Sequence, residues 1–212
     1  MKRIALVLPV IALVFLAFKN ADEKPKSSID LGTELPKADL KMKDVSGKKL
    51  SFNDIKKDNG LLVVFSCNTC PFVVGGNGMG EGWEGRYNEL KTICDKQNIG
   101  MVLVNSNEAK RKNDDSFDAM KTRAKTENYK MNYVVDANSV VANAFNAKTT
   151  PHVFLFNKSN SLVYKGAIDD NNSSATRVGA KWLQNALNEL GEGKAITTPK
   201  TRNKGCSIKR LK

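Results

Sequence analysis

Five apolar residues in a row, Leu61-Leu62-Val63-Val64-Phe65, stop one residue short of a cysteine pair, Cys67-Asn68-Thr69-Cys70, and Pro71 follows at once. The run is continuous rather than alternating, which is the pattern of a strand buried on both faces. Asn59-Gly60 in front of it is a turn signal, and proline is tolerated in a first helical turn. A strand, a C-x-x-C and a helix start in that order read as a redox motif. A free cysteine titrates near about pH 8.5, so little of it is thiolate at neutral pH. Unpaired N–H groups and the positive end of a helix dipole favour the thiolate, so a helix beginning at Pro71 is expected to activate the pair. The offset between the cysteines lets one sulfur reach the other within one turn. Cys67 and Cys70 are therefore the candidate catalytic residues and the candidate disulfide.

The chain has 212 residues and is 41% hydrophobic, enough for one domain with a sizeable core. Met1-Lys2-Arg3 is a basic start, and residues 4–18 are uncharged and almost wholly apolar. As a helix they span about 22 Å, short of a bilayer core of about 30 Å. Residues 1–21 are thus expected to be an export signal, or an N-terminal anchor if it stays uncleaved. Ala17 and Ala21 are candidate cleavage ends, but Phe15 and Lys19 stand two places before them. A periplasmic or otherwise exported location follows, with membrane contact only through this segment. Residues 22–28 are a polar linker, and 29–192 the domain.

Net charge is +12. Residues 193–212 carry Lys194, Lys200, Arg202, Lys204, Lys209, Arg210 and Lys212 and no acid. This reads as a basic tail, either solvated or drawn to an anionic surface or partner. No nucleic-acid motif is present, so nucleic acid is not an expected partner. The four cysteines, at 67, 70, 94 and 206, are too few for a disulfide scaffold.

Residues 40–45 alternate, Ser46-Gly47 is a turn, and Leu50 and Phe52 alternate again, which predicts a β-hairpin. Residues 54–57 are a short helix. After Pro71, glycines at 75, 76, 78, 80, 82 and 85 predict a mobile break between two helical pieces close to the cysteines. Residues 80–85 match G-x-G-x-x-G literally, but the match follows a helix start rather than a strand, so a dinucleotide site is rejected. Trp83, Tyr87, Leu90 and Cys94 form a helical stripe that faces a core, with Cys94 an inert member of it. Strands are predicted at 101–104 and 133–135, with a polar loop over 105–115. Helices are predicted around 117–124 and 139–146. A hairpin covers 153–164, and a last helix runs from Val178 through Trp182, Leu183 and Leu187 to Leu190. Strands joined by helices pair in parallel, and the closing hairpin adds an antiparallel edge. The fold class is α/β, a mixed central sheet with helices on both faces and an N-terminal β-hairpin extension.

Thr149-Thr150-Pro151-His152 stands directly before the strand at 153–156, where a proline is tolerated. Four stretches together resemble the redoxin-domain proteins of the alkyl hydroperoxide reductase and thiol-specific antioxidant superfamily, which have a thioredoxin-like fold. They are Phe65-Ser66-Cys67-Asn68-Thr69-Cys70-Pro71, Thr150-Pro151-His152-Val153-Phe154, Tyr164-Lys165-Gly166-Ala167-Ile168-Asp169-Asp170-Asn171 and Gly205-Cys206-Ser207-Ile208-Lys209. The resemblance covers residues 29–210. It implies that Cys67 is an exposed nucleophile and Cys70 a buried resolving thiol. It also implies that Pro151 is cis and packs beside them, and that Thr150 offers its backbone to a bound peptide. Thr150 and Pro151 are accordingly the substrate-binding residues.

The implied activity is thiol–disulfide exchange, with protein or small-molecule disulfides and thiols as partners, a redox partner protein, and no cofactor. A thiol-dependent peroxidase is the alternative. The motif P-x-x-x-T/S-x-x-C, however, meets Gly60 and Val64 when aligned on Cys67, and Val63 and Cys67 when aligned on Cys70. A second alternative is a copper-chaperone-like protein that binds metal through Cys67, Cys70 and His152, the only histidine. Cys206 stays open between pairing with Cys94, bonding another chain, resolving a sulfenic acid, and remaining free.

Overall fold

The computed structural model describes residues 27–211. The signal or anchor expected over residues 1–21, and most of the linker after it, lie outside the described residues. The central sheet has seven strands in the order β2-β1-β5-β4-β3-β7-β8. They are β1 (Met42–Asp44), β2 (Lys49–Leu50), β3 (Gly60–Ser66), β4 (Ile99–Asn105), β5 (Asn132–Val135), β7 (His152–Asn157) and β8 (Leu162–Gly166). A separate two-stranded ladder joins β6 (Thr149–Thr150) to β9 (Cys206–Ser207).

β3 is buried along its whole length, as its unbroken apolar run requires. It pairs in parallel with β4 and antiparallel with β7, and β4 pairs in parallel with β5. The crossover between β3 and β4 carries α3 (Tyr87–Lys96), and that between β4 and β5 carries α4 (Phe117–Thr126). Both crossovers step the same way along the sheet, so the right-handed rule puts both helices on one face. The last helix, α6 (Trp182–Gly191), joins them there. Trp83, Tyr87, Leu90, Cys94, Met120, Leu183 and Leu187 share that core with Leu62, Val64 and Val153. The stripe from Trp83 to Cys94 is fully inside, as its spacing predicts. The opposite face is covered by α1 (Phe52–Ile55) and α5 (Val140–Ala144). Phe145 lies at its centre, edge-on to Phe52, Phe65, Phe154 and Phe156.

The N-terminal hairpin is present, with Met42 opposite Leu50, and β1 also pairs with β5. Phe52 leaves the hairpin earlier than its alternation suggests. Ser51 and Asp54 form a reciprocal capping box, which starts α1 at Phe52.

Two expectations change. The glycine-rich stretch is docked rather than mobile. The N–H groups of Glu81, Gly82 and Trp83 bond to the carbonyls of Ser173, Asn172 and Phe72. Gly82 has φ 73°, and a Cβ there would lie 2.3 Å from the Val73 carbonyl, so a side chain would break this docking.

Residues 193–212, expected as a tail beyond the domain, fold back onto it along their described length. Lys165 and Lys200 form a parallel bridge beside β8, and Thr201 N–H bonds to the Lys165 carbonyl. This covers one edge of the sheet. Further on, β9 runs antiparallel to β6 with Thr150 opposite Cys206, and Ile208 is buried in the second core. The basic residues concealed these contacts, because charge predicts solvation only when backbone groups and apolar neighbours have no better partners.

Candidate active site

β3 ends at Ser66, and Cys67 follows in the turn that leads to α2 (Pro71–Val74). α2 is a single turn. Cys70 is its N-cap, and Gly75, with φ 77°, ends it. The helix expected to begin at Pro71 is therefore present but is only one turn long, and a macrodipole needs several aligned turns. The activating contacts come from other residues.

The Thr150-Pro151 peptide is cis and lies against both cysteines. Cys67 Sγ is 3.2 Å from Thr150 Oγ1. Cys70 Sγ is 3.0 Å from the Thr150 carbonyl oxygen. The backbone N–H of Cys206 donates to Cys70 Sγ at 3.4 Å. Cys67 and Cys70 are both buried, at 2% and 4% exposure, so Cys67 is not the exposed sulfur that the resemblance implies. All four cysteines are free thiols.

The pKa values of Cys67 and Cys70 are pushed in opposite directions. The Cys67 thiol donates to Cys70 and burial adds to the effect, so its pKa is pushed well above the ordinary value. Cys70 is drawn down to about 5, first by that same hydrogen bond from Cys67 and then, against the cost of burial, by the thiol and N–H of Cys206. The Thr150 carbonyl oxygen works against this charge. The donors, to which the Thr150 hydroxyl adds, outweigh this one acceptor, so the shift at Cys70 is downward. Cys206 is itself pushed up to about 11, by burial first and then by Cys70 beside it.

A buried polar network fixes the turn between the cysteines. Asp115 is fully buried. Its Oδ1 accepts from Asn68 N–H at 2.9 Å and from Asn105 Nδ2 at 2.7 Å, and its Oδ2 accepts from Asn107 Nδ2 at 2.9 Å. Tyr133 donates its hydroxyl to Asn68 Oδ1 at 2.9 Å and accepts from Asn105 Nδ2. Asn107 Oδ1 in turn accepts Lys209 N–H. Asp115 is thus a positioning residue for the C-x-x-C turn. Sequence reasoning left it inside a polar loop. The available signal was Asn105 and Asn107 straight after a buried strand, at the carboxyl end where α/β sheets build their sites.

The structure brings Cys67, Cys70 and Thr150 together beside the cis bond to Pro151, and adds Cys206. It also fills the Thr150 backbone edge with β9, where the resemblance implies a bound peptide. It separates His152 from the cysteines. His152 is opposite Phe65 in the β3–β7 ladder and stacks on Phe154, both in the second core, whereas Cys67 and Cys70 belong to the first. Burial, and then Lys165, lowers its pKa to about 3, so it stays neutral. Among the described residues no group of three or more His, Cys, Asp and Glu side chains is arranged to hold a metal ion. The copper-chaperone arrangement therefore lacks its third ligand. Cys94 lies apart on α3, and burial raises its pKa to about 12, which fits an inert core thiol.

No family model and no curated protein matches the chain. Solved structures do. One is an uncharacterized conserved protein from Geobacillus kaustophilus, 28% identical, with TM-score 0.74 over 86% of this chain and 93% of that one. A second is a hypothetical protein from Sinorhizobium meliloti 1021, also 28% identical, with TM-score 0.77 over 87% of this chain and 97% of that one. A peroxidoxin from Mycobacterium tuberculosis is 12% identical, with TM-score 0.54 over 68% of this chain and 90% of that one. These likenesses are likenesses of fold: the chain has a thioredoxin-like fold, with a mixed central sheet and helices on both faces.

Proposed function

We propose that the protein is a thiol–disulfide oxidoreductase, with Cys67 as nucleophile and Cys70 as resolving thiol. The observation that carries this reading is the convergence of both sulfurs on Thr150 beside the cis bond, with their pKa values pushed in opposite directions. Cys70 is held by the Thr150 carbonyl and by the Cys206 N–H, while Cys67 meets the Thr150 hydroxyl, the Thr69 backbone and its partner cysteine. Cys67, the first cysteine after β3, is assigned the nucleophile, and it has to turn out of its buried position to meet a substrate. Its proton passes to the Cys70 thiolate as it attacks, so the pair supplies its own base. The Cys67 sulfur bonds to one substrate sulfur, and the other leaves as a thiolate and takes the proton back from Cys70. Cys70 then attacks Cys67, forming the Cys67/Cys70 disulfide and releasing the second substrate thiolate, which is protonated from solvent. Thr150 and Pro151 form the wall against which the substrate disulfide arrives.

The basic start and apolar run of residues 1–21 support work outside the cytoplasm, where disulfides persist. Partners of this chemistry are protein or small-molecule disulfides and a second redox protein that resets the pair.

The test is turnover of a disulfide-linked peptide, with mass mapping of trapped adducts. Cys67→Ser is expected to lose turnover, and Cys70→Ser to accumulate the peptide on Cys67. Full activity in the Cys67→Ser protein sinks the reading. Peroxide consumed much faster than the peptide disulfide would instead favour the peroxidase.

A further inference from the structure

We infer that Cys206 is a third redox thiol, which takes the disulfide over from Cys67 so that it ends between Cys70 and Cys206. The inference rests on the redox reading of the Cys67/Cys70 pair given above. It is carried by the way the C-terminal strand is built into the site. β9 puts Cys206 opposite Thr150, the residue both catalytic sulfurs touch. The Cys206 N–H donates to Cys70 Sγ at 3.4 Å, which seats Cys206 directly beside it. The approach is so close that a Cβ on Gly205 would lie 2.3 Å from the Thr150 carbonyl oxygen, and only glycine fits there. Beyond Cys206, Ile208 N–H bonds to the Lys148 carbonyl, Ile208 is buried, and Lys209 N–H bonds to Asn107. The strand is pinned on both sides of the cysteine, whereas Cys94, the other spare thiol, has no cysteine beside it.

The step is an internal exchange. With Cys67 and Cys70 joined, the Cys206 sulfur attacks Cys70 Sγ. The bond between sulfurs 206 and 70 forms as the bond between 70 and 67 breaks. The Cys67 sulfur leaves with the electron pair and takes up the proton that Cys206 gives up. No electrons enter or leave, so no further oxidant or reductant is needed. Two things raise the Cys206 pKa in the dithiol state, burial and the neighbouring Cys70. Oxidation of Cys70 removes the second, so Cys206 becomes a better nucleophile when it is needed. The exchange returns Cys67 to its thiol form and leaves the disulfide behind it, where a small thiol or a dithiol protein can reduce it.

Full-length wild type, Cys67→Ser and Cys206→Ser are equilibrated in cystamine–cysteamine buffers of graded poise, quenched in acid, alkylated and mapped by mass spectrometry. Wild type is expected to hold both linkages, Cys67/Cys70 and Cys70/Cys206, in a ratio that stays constant across the series, because their interconversion involves no net electrons. Cys67→Ser is expected to hold only Cys70/Cys206, and Cys206→Ser only Cys67/Cys70. Wild type with Cys67/Cys70 alone, together with a Cys67→Ser protein whose Cys206 alkylates fully at every poise, overturns the inference and leaves the oxidoreductase reading standing. Absence of Cys67/Cys70 from both wild type and Cys206→Ser overturns both.

Discussion

Cys70 accepts hydrogen bonds from the thiols of Cys67 and Cys206, and these set which sulfur in the site is charged. Its pKa of about 5 has a consequence for stability with a definite sign. An unfolded cysteine titrates near about 8.5. Between these values the folded, reduced protein holds fewer protons than the unfolded chain, so the Cys70 charge stabilises the fold fully above about pH 8.5 and ceases to contribute below about 5. Cys67 lies well above its ordinary value, so it works with the opposite sign once the unfolded thiol begins to ionise near about pH 8.5. Since Cys67 is the largest cause, Cys67→Ala is expected to raise the Cys70 pKa toward the ordinary value of about 8.5, read from the pH dependence of iodoacetamide alkylation at Cys70. A value still near 5 in that variant assigns the charge to other donors. The two cysteines were legible in the sequence because their spacing and the preceding apolar run are local. Their electrostatics were not. The donor to Cys70 comes from Cys206, and the carboxylate that fixes Asn68 comes from Asp115, both brought in by the fold.

Among the elements, β3 and the helical stripe from Trp83 to Cys94 were readable because each repeats one pattern over several residues. β9 was not, since two residues carry no period and its partner strand is far away in the chain. The break after Pro71 was readable from the glycines, and Gly75 marks where α2 stops. The β6–β9 ladder depends on one small residue. Gly205→Ala puts a methyl group into the Thr150 carbonyl and is expected to pry β9 from β6. Alkylation of Cys206 by iodoacetamide should then speed up at least about tenfold, which corresponds to a loss of about 1.4 kcal/mol from the closed form. Unchanged protection of Cys206 in this variant would show that the ladder does not hold it.

At the scale of the whole molecule, the domain extends well past residue 192. The described part of 193–212 covers the outer edge of β8 through Lys200 and Thr201, completes the site through Cys206, and adds Ile208 to the far core. A chain cut after residue 192 is expected to lose at least the burial of Ile208, about 1.5–3 kcal/mol, together with the hydrogen bonds along β8. Its urea midpoint should fall accordingly, and a midpoint equal to that of the full chain would return this segment to the status of a tail.

The pinning of β9 also divides the site between two distant parts of the chain. The cysteine pair and the cis-proline loop come from residues 67–151, and the wall that meets Cys70 from beyond residue 204. A protease that removed only the last residues would leave the pair intact and take away the strand that fills the Thr150 edge. The carboxyl end of the chain is therefore part of the site's machinery and not its packaging.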